Sequence, residues 1–209
     1  MRSIYVEHPV QMAYTRGAAV WAFDADLWGV CVQAPTAEQA MDRWRSTHGP
    51  STVVETLHGD EQAFDRDFQS ATAAEVERTL VVLAEQRMRA TKLLDELSAE
   101  ALDAVDPERV LPGWARWRTI REMLWHICDT ESRYYLPMTG LPARDREADL
   151  RTELAASTAH INSVLRAMPG DQVHRENDEV WTATKLLRRL AWHERGELDA
   201  IEELLASRH

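Results

Sequence analysis

The spacing of apolar and polar residues changes character once along the chain, near residue 60. Before that point it is short. Ser3–Glu7 and Ala18–Ala22 are brief runs rich in Val, Ile, Tyr and Trp. In Trp28–Gln33 the side chains of Trp28, Val30 and Val32 share one face at a period of two, the mark of a strand. Thr36-Ala37-Glu38-Gln39 then reads as a capped helix start, in which the Thr hydroxyl and a side chain three residues on satisfy backbone N–H groups. That helix should reach about His48 and stop at Gly49-Pro50, with a further strand over Ser51–Leu57. Three strands, a helix and a strand within residues 1–60 predict a small α+β module.

After it the segment His58–Ser70 is polar and acidic, and residues 61–71 read as a linker. From Thr72 onward the apolar period is helical. The first helix runs from a Thr72 cap boxed by Glu75 to about Leu97. The second runs from Thr119, boxed by Glu122, to just before Pro137. The third spans Ala148 to Met168 and is stopped by Pro169-Gly170; the fourth runs from a cap near Thr182 to about Ser207. Four long helices with apolar stripes predict a four-helix bundle over residues 72–209. The connections Ser98–Arg118 and Gly170–Trp181 are long enough for a crossover topology.

Ionisable residues on the buried stripes carry the chemistry, because a buried charge needs a partner. On the fourth helix Leu186, Leu190, Ile201 and Leu204 define the core direction, and His193 and Glu197 fall in the same sector, one turn apart. Arg189, Trp192 and Arg195 point elsewhere. On the second helix the stripe is Ile120, Met123, Leu124, Ile127 and Tyr134, with His126 on its flank in a column with Glu122 and Thr130. On the first helix Arg87 interrupts the stripe of Val76, Leu80, Leu83, Ala90 and Leu94, so its guanidinium must meet a carboxylate of the protein or of a ligand. Three readings of His126, His193 and Glu197 stand side by side. They hold a divalent metal, zinc, nickel, manganese or iron. Alternatively, they form a metal-free network in which Arg87 pairs with Glu197 and His193 donates to a carbonyl. Or the histidines sit at the core boundary and are satisfied by water. The other histidines (His8, His48, His58, His160, His174 and His209) fall on loops, ends or exposed sectors.

Composition narrows the partners. A net charge of −11 repels phosphate backbones, which argues against nucleic acid. No apolar stretch approaches the roughly 18 residues that cross a bilayer, and the amino terminus lacks a signal-peptide pattern, so no membrane partner is expected. The two cysteines, Cys31 and Cys128, form neither a disulfide framework nor a metal knuckle, which suits the cytoplasm. Cys128 is expected to be a packing residue.

The segments WRTIREMLWHICDTESRYYLPM and WTATKLLRRLAWHERGELDAIEELL resemble the DinB-like (DinB/YfiT) superfamily over about residues 72–207. The resemblance implies a divalent metal held by one histidine of the second helix and an HxxxH pair on the fourth. The matching positions are His126, His193 and 197, and the last carries Glu where the family has His. It also implies a small-molecule substrate and either hydrolysis or transfer dependent on a low-molecular-weight thiol of the mycothiol, bacillithiol or glutathione kind. In such an enzyme the metal would activate the thiol, and Arg87 would meet a substrate carboxylate. The alternative is a non-catalytic binding or interaction module whose metal site has been lost, with Glu197 as its mark. The stretch AFDADLWGVCVQAPTAEQAMDRWRS resembles the HicB-like pattern and implies a fold only, since no DNA-binding helix-turn-helix or ribbon-helix-helix accompanies it. Its expected role is to pack on the bundle, pair subunits or cover the site. A homodimer through bundle faces is compatible with the pattern, although no exposed apolar stripe requires it.

Overall fold

In the computed structural model, which describes residues 1–12, 15–107, 109 and 116–206, the short-period part folds as a four-stranded sheet covered by one helix. The strands β1 (Arg2–Met12), β2 (Thr15–Trp21), β3 (Cys31–Ala34) and β4 (Ser51–His58) lie in the order β3-β2-β1-β4, with β1 parallel to β4 and antiparallel to β2. Helix α1 (Ala37–His48) starts at Thr36, whose hydroxyl accepts the Gln39 N–H. Period-two alternation divides the sheet's side chains between two covers. Ile4, Val6, Ala18 and Val20 meet Ala40 and Trp44 of α1 on one face. Ala19 and Trp21 turn to the other face, against Phe64 and Trp192, and Val10 joins them because the β1–β2 register shifts between Glu7 and Val10. Trp28, expected on the third strand, instead follows a 3-10 turn at Ala25–Leu27, and its indole N–H donates to Thr79 Oγ1 at 2.8 Å. Trp28 therefore packs in the bundle core rather than on its own sheet.

The segment expected to be a linker is built into the structure. Phe64 is buried beneath the sheet, and a 3-10 turn at Asp65–Phe68 buries Asp67 against Arg188. Beyond it come α2 (Ala73–Glu96), the short α3 (Ala99–Asp103), α4 (Ile120–Asp129), α5 (Leu136–Met138), α6 (Leu150–Ala167) and α7 (Ala183–Ala206). Thr72–Glu75 and Thr119–Glu122 form the two capping boxes their sequences predict. Helices α2 and α4 each pack on α6 and α7, so α2 sits diagonal to α4, α6 sits diagonal to α7, and the bundle is a crossover type. The second long helix does not stop before Pro137. A π-helical segment over Thr130–Tyr135 joins α4 to α5, and Pro137 lies within α5. The wider turn also rotates the stripe, so that Tyr135 is buried and Tyr134, expected in the core, is exposed. Between α6 and α7 a hairpin of β5 (Val173–Glu176) and β6 (Glu179–Thr182) occupies what reads in the sequence as a loop.

Helix α7 is the centre of the molecule. Every residue from Ala183 to Ala191 is buried, because the bundle encloses one side and the sheet with residues 61–67 encloses the other. Arg189 does point away from the bundle core, as expected, yet not to solvent: it pairs with Glu7 and Glu61, each at 3.2 Å. Lys185 reaches Glu61 at 3.0 Å, and Arg188 makes a two-pronged pair with Asp67 at 2.9 and 2.7 Å. Gly29 lets the β2–β3 connection approach α7, since a Cβ there would stand 2.5 Å from that of Ala191. Among the described residues no helix is long and apolar enough to cross a membrane.

Candidate metal centre

Two helices present the candidate ligands. His126 lies near the end of α4 at the rim of its apolar stripe, while His193 and Glu197 lie one turn apart on the inward face of α7. The crossing of α4 over α7 brings them together. One ligand atom from each lies within 4.8 Å of the others. The two imidazole Nε2 atoms are 3.2 Å apart, and Glu197 Oε1 is 3.9 Å from each. His193 and Glu197 are buried, and the His126 side chain is 20% exposed, which leaves one edge of the trio open.

The protonation of the trio follows from burial. Desolvation brings His126 down to about 4 and His193 well below the usual imidazole range, with His126, Arg87 and Arg189 pushing His193 further by their charge. Burial lifts Glu197 to about 7, against a smaller pull downward from Arg109. At neutral pH both imidazoles are therefore neutral and carry lone pairs, beside a carboxyl that a nearby cation would hold ionised. Thr130 Oγ1 lies 3.2 Å from His126 Nδ1, so a proton on Nδ1 would leave the Nε2 lone pair facing the trio. Trp117, just ahead of α4, stacks on the His126 ring at 3.6 Å and 9°, and Tyr135 meets the His193 ring edge-on at 5.6 Å.

These residues fit a divalent metal. Two nitrogens each about 2.0–2.1 Å from a tetrahedral ion stand about 3.3–3.4 Å apart, close to the 3.2 Å between the imidazoles. Glu197 Oε2 is buried with no hydrogen-bond partner among the described residues, as befits a ligand oxygen. Two imidazoles and a carboxylate form a donor set suited to zinc, nickel, manganese or iron.

Arg87 meets carboxylates of the protein, but not Glu197. It pairs with Glu131 of the π-helical segment, and its Nη2 lies 2.7 Å from Glu194 Oε1. Its Nη1 points to Cys128 Sγ at 3.2 Å, and Ser132 and Ser157 complete the cluster, their hydroxyls 3.0 Å apart. Burial pushes Glu194 well above the usual carboxylate range, while the charge of Arg87 pulls it back down. Two carboxyl groups of the protein thus already engage the Arg87 guanidinium. Cys128 is buried as expected; burial also raises its thiol to about 11, so it stays protonated at neutral pH. The helical period did not single out Trp117, Glu131 or Glu194. The signal for Glu194 was its place beside His193, on the side of α7 that turns to α2.

Comparison with known proteins places this geometry in a family. The model of the DinB superfamily matches residues 82–198, more than half of the chain. The chain belongs to the DinB superfamily. The matched stretch holds α4, α6, most of α7 and all three candidate ligands, and it leaves the sheet module outside. Among solved structures, YfiT from Bacillus subtilis, described as a probable metal-dependent hydrolase with an unusual four-helix bundle topology, is similar at 17% identity. That alignment covers 65% of this chain and 89% of YfiT with a TM-score of 0.49. No curated protein matches.

Proposed function

We propose that this superfamily member is a metal-dependent enzyme acting on a small molecule, with His126, His193 and Glu197 holding a divalent ion. The observation that carries the reading is the convergence of two neutral imidazoles and one buried carboxyl within 4.8 Å, at one partly open edge of the bundle. A divalent ion held there would supply a Lewis acid that favours deprotonation of a water or a low-molecular-weight thiol near neutral pH. The chain's own residues do the rest. Thr130 offers a partner to His126 Nδ1, Trp117 holds the ring by stacking on it, and Glu197 contributes the single negative charge. Cys128 is no rival nucleophile, since its thiol is buried and protonated. Hydrolysis and thiol transfer are the two reaction classes this arrangement serves. The second reading, a non-catalytic module, draws on the same 3.2 Å separation, which also suits a direct hydrogen bond between the imidazoles.

Elemental analysis of the purified protein decides between them. About one equivalent of zinc, nickel, manganese or iron is expected, lost in His193→Ala. Glu197→Gln should weaken the metal at least tenfold, because it removes the one anionic ligand. A protein that carries no metal and takes none up from added divalent ions would overturn the enzyme reading. With metal in place, ester and amide hydrolysis assayed with and without added thiol separates the two reaction classes.

A further inference from the structure

On the outer side of His126 lies a cleft of about 380 Å³, lined besides by Arg116, Trp117, Glu122, Trp125, Asp129 and Arg146. This is toward the lower end for small-molecule sites, roughly 300–1,000 Å³. Two cations and two anions suggest neutrality, but the anions are already engaged. Glu122 Oε2 accepts the backbone N–H groups of Arg118 and Thr119 at 2.6 and 3.0 Å, as the capping box of α4 requires. Asp129 Oδ1 takes the Arg133 Nε–H at 2.6 Å. The cations are not engaged to the same degree. The Arg146 guanidinium carbon lies 3.7 Å from the centre of the Trp125 ring, the side chain is 48% exposed, and its ion pair with Asp129 is long, at 3.6 Å. Arg116 is exposed, and no hydrogen bond or ion pair engages it among the described residues. A chain with a net charge of −11 thus places, beside His126 of its candidate metal centre, a cleft whose two acids are engaged by other partners and whose arginines are exposed. Guanidinium groups are matched to oxyanions, which they bind through paired N–H donors. The two indoles add flat apolar walls, which an inorganic ion would not use.

We infer that this cleft recognises a small organic molecule bearing an oxyanion, a carboxylate or a phosphate, held by Arg116 and Arg146 with its reacting group turned toward His126. The last part rests on the metal-centre reading; the arginine contacts do not. The two arginines supply the charge selection, and His126, the exposed edge of the trio, lines the same cleft.

The test is calorimetric titration of the full chain, metal-loaded and again after chelation, with succinate, phenyl phosphate and the neutral succinamide. An anion should bind both forms, more tightly when metal is present, and at least tenfold more tightly than succinamide. Whichever of succinate and phenyl phosphate binds better names the oxyanion. Arg116→Gln and Arg146→Gln should each weaken binding about fivefold, and the double variant more than tenfold, with metal content unchanged. Arg151→Gln, an exposed arginine paired with Asp95 elsewhere, should have no effect. Equal affinity for succinamide, or a double variant that binds as the parent does, would overturn the inference. Failure of metal uptake alone removes the reacting partner but leaves the arginine dependence in place, so the two failures are told apart.

Discussion

Arg87 occupies a position that the helical period of α2 reserves for an apolar side chain, and it is held there by Glu131 and Glu194 from across the bundle. Four helices and the π-helical segment meet at this cluster, whose two acids are buried, so losing the cation leaves them with neither water nor counter-charge. Arg87→Met should therefore cost about 3–5 kcal/mol, the range for breaking a buried ion pair from one side, measured by urea denaturation at pH 7. Adding Glu131→Gln and Glu194→Gln should recover much of that loss, since neutral groups of the same shape no longer need the guanidinium. A shift below about 1 kcal/mol in Arg87→Met would mean that the acids are satisfied without it. The need for a partner at Arg87 was legible in the sequence, because one charge breaks an apolar stripe. The partner's identity was not, because Glu131 lies in a segment whose phase departs from the α-helix and Glu194 stands off the core direction of α7.

The same contrast between what period reveals and what it hides recurs for whole elements. Both capping boxes, the α1 start at Thr36 and the ends of α2 and α6 follow from local signals, which work over three or four residues. His126, His193 and Glu197 were legible as site candidates for a similar reason: each is polar on or beside an apolar stripe. The hairpin β5–β6 escaped notice although its turn, Asn177-Asp178 with both φ positive, is a two-residue type that favours these amino acids. Its strands are only four residues long and too polar to alternate. The π-helical segment Thr130–Tyr135 leaves no compositional mark. It acts as one inserted residue, which turns Tyr134 out and Tyr135 in. Deleting Tyr134 should then let the helix run on as α with Tyr135 and Leu136 still facing the core. The expected cost is no more than about 2 kcal/mol, chiefly the loss of the Tyr134–Glu179 hydrogen bond and local repacking. Urea denaturation checks this, with helical circular dichroism unchanged. A deletion that unfolds the chain would show the wide turn to be required.

At the scale of the molecule, the change of apolar period near residue 60 suggests two bodies joined by a linker, whereas the contacts make α7 common property of both. His193, Glu194 and Glu197 face the bundle, while Lys185, Arg188 and Arg189 face the sheet and residues 61–67. The sequence could not show this, because a charged face on a helix ordinarily means solvent, and only tertiary packing reveals that another layer carries the opposing charges. Arg188 is the sharpest case. It is enclosed by Trp21, Phe64 and Phe23, with ring centroids 4.5, 5.1 and 5.7 Å away, and Asp67 is the carboxylate that meets it. Asp67→Ala would leave a guanidinium among aromatic rings without a counter-charge, at a cost of about 3–5 kcal/mol. Because the pair joins the 61–71 segment to α7, its loss should weaken sheet and bundle alike. Thermal unfolding followed by helical circular dichroism and by tryptophan fluorescence should show both signals moving down together and remaining coincident. If fluorescence falls at a lower temperature while the helical signal keeps its midpoint, the sheet module unfolds by itself and α7 does not need it. Coincident transitions would instead mean that the sheet module helps hold His193 and Glu197 where α4 meets them, although it lies outside the stretch that marks the superfamily.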